Sequence, residues 1–226
     1  MRVVTLCLLC LAACGRPLSE GETRLVGEVM GPTLDRSEVR FVEAGFIGTT
    51  TRTYPARPRT TCREKIAPPP AGPTFKARTA GAVLFTHVLT SPDWTLPDYL
   101  PDYPEAMNLP AAMFLAHEMT HVWQWQNRGI TGYHPLRGAA EHSGGTDPYL
   151  FDPADRTPFL ELGYEQQASL VEEYVCCRTL DPGGARTGRI WERLRAVMPV
   201  EPPGQAPWPI AVSGVHPDTA LKGICG

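Results

Sequence analysis

"FLAHEMTHVWQWQ", residues 114–126, holds two histidines four apart with a glutamate directly after the first. Positions i and i+4 share one face of a helix, so His117 and His121 can offer both imidazoles to one metal ion. Glu118 stands about 100° further round the helix than His117. There it cannot easily be a ligand of the same ion, but it can flank a water beside it. HExxH spacing works for this reason: a single turn supplies two ligands and one general base. Asn108 as N-cap, Pro110 in the first turn and Gly129 as the stop frame a long helix around the motif. Ala116, Met119, Thr120 and Val122 are uncharged, as a buried helix requires. A shuffled chain of this composition would contain the pattern about once in 100, so the rest of the chain has to supply supporting ligands.

A hydrolytic zinc needs a third protein ligand and one open position. Downstream donors are His134, Glu141, His142, Glu161, Glu165, Glu172 and Glu173. The longer HExxHxxGxxH pattern is absent: Gln124 stands three after His121, and no histidine stands three beyond that. A glutamate on a second helix is the better candidate. That helix is expected from near Tyr164 through "EQQASLVEEYVCCRTL" to Asp181-Pro182-Gly183-Gly184. On it Glu165, Ala168, Ser169 and Glu172 form one stripe, and the small Ala168 lets two helices approach closely.

The remaining pattern is mixed, and the expected class is α+β. Ser19 with Glu22 reads as a capping box before a short amphipathic helix that stops at Gly31-Pro32. Residues 38–48 and 80–90 read as strands, the second containing His87, expected to be structural. Residues 52–75 and 130–158 read as loop, residues 185–198 as a third amphipathic helix, and the tail 199–226 as Pro-rich and irregular. The 24 prolines are about twice the usual share and favour loops. A net charge of −3, with no basic run, argues against a nucleic-acid partner. Residues 1–13 read as a secretory signal and residues 14–226 as a single domain. In an exported chain the even set Cys62, Cys176, Cys177 and Cys225 suggests two disulfides. Bonding the adjacent pair is sterically poor, which leaves two pairings open.

Leu11-Ala12-Ala13-Cys14 resembles the lipobox of bacterial lipoproteins. The resemblance implies a signal cut before Cys14 and a membrane anchor through lipid on that cysteine. The location it implies is the bacterial cell envelope, on the periplasmic or outer-membrane face. HExxH followed by a helix with Glu-x-x-Ala resembles the gluzincin-type zincins. "LSEGETRLVGEVMGPTLDRSEVRFV" (18–42), "FLAHEMTHVWQWQ" (114–126) and "YEQQASLVEEYV" (164–175), in that order, are similar to a small bacterial metallopeptidase-like domain. That domain is named for the extracellular contractile injection system core and includes Vgr-related proteins. The resemblance implies a zincin-like minimal domain, its active-site helix packed on a ligand-bearing helix beside a small sheet. It implies one Zn2+ held by His117, His121 and Glu165, with Glu118 as general base. Peptide or protein substrates would follow.

Two departures from the gluzincin pattern stand out. Many gluzincins place an acid four residues after the ligand glutamate, where this chain has Ser169; Glu172 is the available substitute. No single residue stands out as donor to the oxyanion; Tyr133 and His134 lead, followed by His142 and Tyr164. The main competing expectation is a non-catalytic lipoprotein that uses the same fold for binding or assembly. A metal hydrolase acting on another bond, such as a cell-wall crosslink, is the third.

Overall fold

A computed structural model describes residues 15–143, 146–204 and 211–226. The expected signal 1–13 and Cys14 lie outside the described residues, as does part of the tail. The architecture is α+β. Helix α1 (Glu20–Met30) is followed by β1 (Arg40–Glu43), β2 (Thr51–Pro55), α2 (Cys62–Ile66), β3 (Thr74–Arg78), β4 (Gly81–Leu84) and β5 (His87–Thr90). Then come β6 (Ala106–Asn108), α3 (Leu109–Gln126), α4 (Arg128–Thr131), α5 (Pro135–Glu141), α6 (Tyr164–Leu180), α7 (Ala185–Leu194) and β7 (Ala211–Ser213).

The centre of the molecule is the pair α3 and α6, which pack on each other more extensively than any other two elements. Every residue of α3 from Ala111 to Gln124 is buried, as expected for a helix without a charged outer face. Its ends obey local rules: the Asn108 side chain accepts from Ala111 N–H, and Asn127 closes the helix by donating to Trp123 and Trp125 carbonyls. Gly129 is therefore not the stop; it lies inside α4, which ends at Gly132 with φ +65°. Helix α6 opens at Gly163, which has no capping side chain. Glu141 of α5 substitutes, its two oxygens accepting from Tyr164 N–H and Glu165 N–H at 2.8 and 3.0 Å. Helix α1 has the expected capping box between Ser19 and Glu22.

Among the described residues there are three sheets. The largest has the order β1-β5-β4, with β1 parallel to β5 and β5 antiparallel to β4. The expected strand 80–90 is thus a hairpin, broken at Phe85, whose φ of +61° turns the chain. The expected strand 38–48 ends at Glu43, because Ala44–Ile47 close a turn. The expected loop 52–75 contains the hairpin arms β2 and β3 and the helix α2. Those arms are largely exposed on both faces, so no alternation of apolar residues marks them. Likewise residues 130–158 include α5, which His134 caps through its Nδ1. The third helix stops at Leu194, short of 198. Within the tail, β7 pairs parallel with β6.

Two disulfides staple this frame to α6: Cys62–Cys176 and Cys177–Cys225. The first fixes α2 and the second the C-terminal tail. Because the two α6 cysteines are adjacent, both segments are pinned at one point of α6.

Candidate metal centre

His117 and His121 project from α3 onto the first turn of α6. One oxygen, Glu165 Oε2, lies 3.2 Å from His117 Nε2 and 3.4 Å from His121 Nε2. The donor atoms of the three residues all fall within 4.8 Å of one another, and all three side chains are buried. Such a set can hold a metal ion. Glu165 sits in the first turn of its helix, where the helix dipole favours a carboxylate.

The other ring nitrogens are occupied, which decides the direction in which the imidazoles point. His117 Nδ1 lies 3.2 Å from Glu172 Oε2. His121 Nδ1 lies 2.8 Å from Gln124 Oε1, whose amide in turn donates to Tyr164 O and Gln167 Oε1. With both Nδ1 atoms turned to these oxygens, Nε2 is the nitrogen that each ring presents to the shared centre. Glu172, and not Ser169, is therefore the α6 residue that meets His117 Nδ1. Ser169 Oγ itself is buried without a hydrogen-bond partner. The second oxygen of Glu165 is held by His142 Nε2 at 2.9 Å. The sequence pattern gave no sign of Gln124's part.

Burial alone would depress His117, but hydrogen bonds with Glu165 and Glu172 outweigh it and push its pKa up to about 10. Burial would raise Glu165, yet the histidines around it hold its carboxyl well below the ordinary range. Glu118 moves the other way: burial pushes its carboxyl up, and His117 and His121 offset only part of that. Its Oε2 is buried with no hydrogen-bond partner. Two cavities, of about 610 and 280 Å³, both have His117, Glu118, Gly81, Thr79 and Tyr149 in their walls. Ile66, Phe75, Trp94, Met113, Phe114 and Val215 make the wall of the larger one apolar.

No protein-family model and no curated protein matches the chain. One solved structure does: the effector domain of Pseudomonas aeruginosa VgrG2b. It shares 21% identity over 82% of this chain and 85% of that chain, with a TM-score of 0.49. At that level the likeness carries no argument about activity.

The remaining expected site residues separate clearly. Tyr133 is buried, lines the smaller cavity and packs against the His121 ring, with centroids 6.1 Å apart. His134 is exposed, caps α5 and is not among the residues that line either cavity. Tyr164 directs its hydroxyl to Gly132 O instead of the cleft. Tyr149 has no signal in the sequence but sits at the junction, its ring 5.6 Å from that of His117. Cys62, Cys177 and Cys225 also bring their sulfurs within 4.8 Å of one another, but these atoms are used in the two disulfides.

Proposed function

We propose that the protein is a zinc-dependent metallopeptidase of zincin type, with His117, His121 and Glu165 as ligands and Glu118 as general base. The observation that carries the reading is the convergence of two Nε2 atoms on one glutamate oxygen, together with the buried Glu118, whose Oε2 has no hydrogen-bond partner. The donor chemistry fits zinc. Tetrahedral bonds of about 2.0–2.1 Å place donors about 3.3 Å apart, close to the 3.2 and 3.4 Å separations here.

Zinc, when bound, would supply Lewis acidity, lowering the pKa of a water towards about 7 and polarising a carbonyl. The chain's own residues do the rest. Strand β4 ends its sheet, and Gly81, Ala82 and Val83 lie along the cleft, so an extended peptide can add to it by backbone pairing. Glu118 takes a proton from the attacking water as the oxygen bonds to the scissile carbonyl carbon. The same carboxyl then gives that proton to the amide nitrogen as the C–N bond breaks. Tyr133 and Tyr149 stay protonated because burial raises both phenols, and they offer hydroxyl donors to the developing oxyanion. A lipid anchor at Cys14 would place this activity at the bacterial envelope. A purely binding module would have no use for the buried, unpartnered Glu118.

The test is metal content and peptide hydrolysis of the purified chain beside Glu118→Gln. About one zinc per chain in both, with activity lost roughly 10²–10⁴-fold in the variant, is the expected result. Zinc-bound protein with no activity on any peptide, or undiminished activity in Glu118→Gln, would overturn the reading.

A further inference from the structure

The disulfide that pins α2 also delivers a charged side chain to the metal centre. Cys62 is the first residue of α2, bridged to Cys176 of α6, and its N–H donates to Glu173 Oε2 at 2.7 Å. The next residue, Arg63, sends Nη1 to Glu172 Oε2 at 3.1 Å. That oxygen is the one that meets His117 Nδ1 at 3.2 Å. Arg63 is steadied from its other side by Glu64, with Nε 3.0 Å from Oε1, and Arg57 stands 3.7 Å from the same Glu64 oxygen.

Glu172 has several rotamers, and only some bring Oε2 to His117. A long carboxylate side chain left to itself would spend entropy to stay in one of them. A charge-assisted bond from Arg63 to the same oxygen selects the arrangement. Arg63 also places a positive charge against the buried Glu172 carboxylate. Nothing in the HExxH pattern predicts this residue, because it comes from a proline-rich stretch far away in sequence.

We propose that Arg63 is a positioning residue for the metal centre: carried on the bridged helix α2, it holds the Glu172 carboxylate that orients His117. The proposal rests on the metallopeptidase reading only in requiring a metal at His117, and does not need hydrolysis.

The experiment is a double-mutant cycle on the purified chain with Arg63→Met, Arg63→Lys, Glu172→Gln and the combinations. The readouts are zinc affinity by chelator competition and the visible d–d spectrum of the cobalt-substituted protein. Arg63→Met should weaken zinc about tenfold and shift the cobalt bands in the same direction as Glu172→Gln. The double variant should bind no more weakly than Glu172→Gln alone, and Arg63→Lys should recover part of the loss. Wild-type affinity in Arg63→Met, or losses that multiply in the double variant, would overturn the proposal. If Arg63→Met does not fold, the same cycle with Arg63→Lys decides, multiplication again being the overturning result. A wild-type chain that binds zinc but cleaves no peptide would defeat the metallopeptidase reading alone. A chain that cleaves peptides yet shows a multiplicative cycle would defeat the Arg63 assignment alone.

Discussion

Gly81 of β4 lies directly against Glu118 of α3. A methyl group on the Gly81 Cα would fall 2.7 Å from Glu118 Oε1 and 3.0 Å from Phe114 Cζ. The edge strand and the proposed base are therefore packed with no room for a side chain between them. Gly81→Ala should displace the carboxylate and lower peptidase activity by about 10²-fold while leaving the zinc content unchanged, because a misplacement of about 1 Å is costly. Steady-state kinetics beside elemental analysis checks this. Full activity in the variant would show that the carboxylate can move without loss.

Zinc uptake should release protons. His117, whose pKa is raised to about 10 by Glu165 and Glu172 against the effect of burial, carries a proton at neutral pH. That charge cluster contributes stability in full below about 6.5, the ordinary value, and the contribution is lost as pH rises through about 10. A metal needs Nε2 free of its proton, so affinity should rise with pH between those limits. Titration calorimetry at one pH in two buffers of different ionisation enthalpy should give different heats. Identical heats would mean that His117 is already neutral.

Cys225→Ser should destabilise the fold without emptying the metal site. The bridge to Cys177 spans 48 residues, and closing a loop of that size constrains the unfolded chain by about 4 kcal/mol. The tail also places Val215 and His216 in the wall of the larger cavity. Denaturant unfolding should show the loss in stability, with one zinc retained per chain. A chain that loses zinc as well would tie the tail to the metal centre.

Glu28→Ala tests the far end of α6. Arg178, 1% exposed, pairs with Glu28 of α1, and the Tyr103 hydroxyl donates to the same carboxylate. Removing one partner of a buried pair typically costs about 3–5 kcal/mol. The melting temperature should fall while zinc affinity holds. An unchanged midpoint would show that Arg178 is compensated by its other contacts.

Local rules made a large part of this molecule legible in its sequence. The Ser19–Glu22 box, the Asn108 cap and the run from Tyr164 to Leu180 specify three helices by short-range hydrogen bonding and periodicity. The i, i+4 spacing of His117 and His121 places two donors on one face before any tertiary contact exists. Cys62, Cys176, Cys177 and Cys225 indicated two bridges and left two pairings open.

Tertiary structure decided what depends on distance in space. Docking of α6 on α3 chose Glu165 and Glu172 from seven downstream donors, and gave Glu172 the orienting contact that Ser169 does not make. The folded chain also brought Tyr149 to the cleft, left His134 outside the cavity lining, and paired Cys62 with Cys176 and Cys177 with Cys225. Packing of α2 on α6 carried Arg63 to Glu172 across 109 residues of chain. Capping and periodicity act within a turn or two of helix. Ligand choice, disulfide pairing and cavity walls depend on how buried surfaces meet, and no short window of sequence records that.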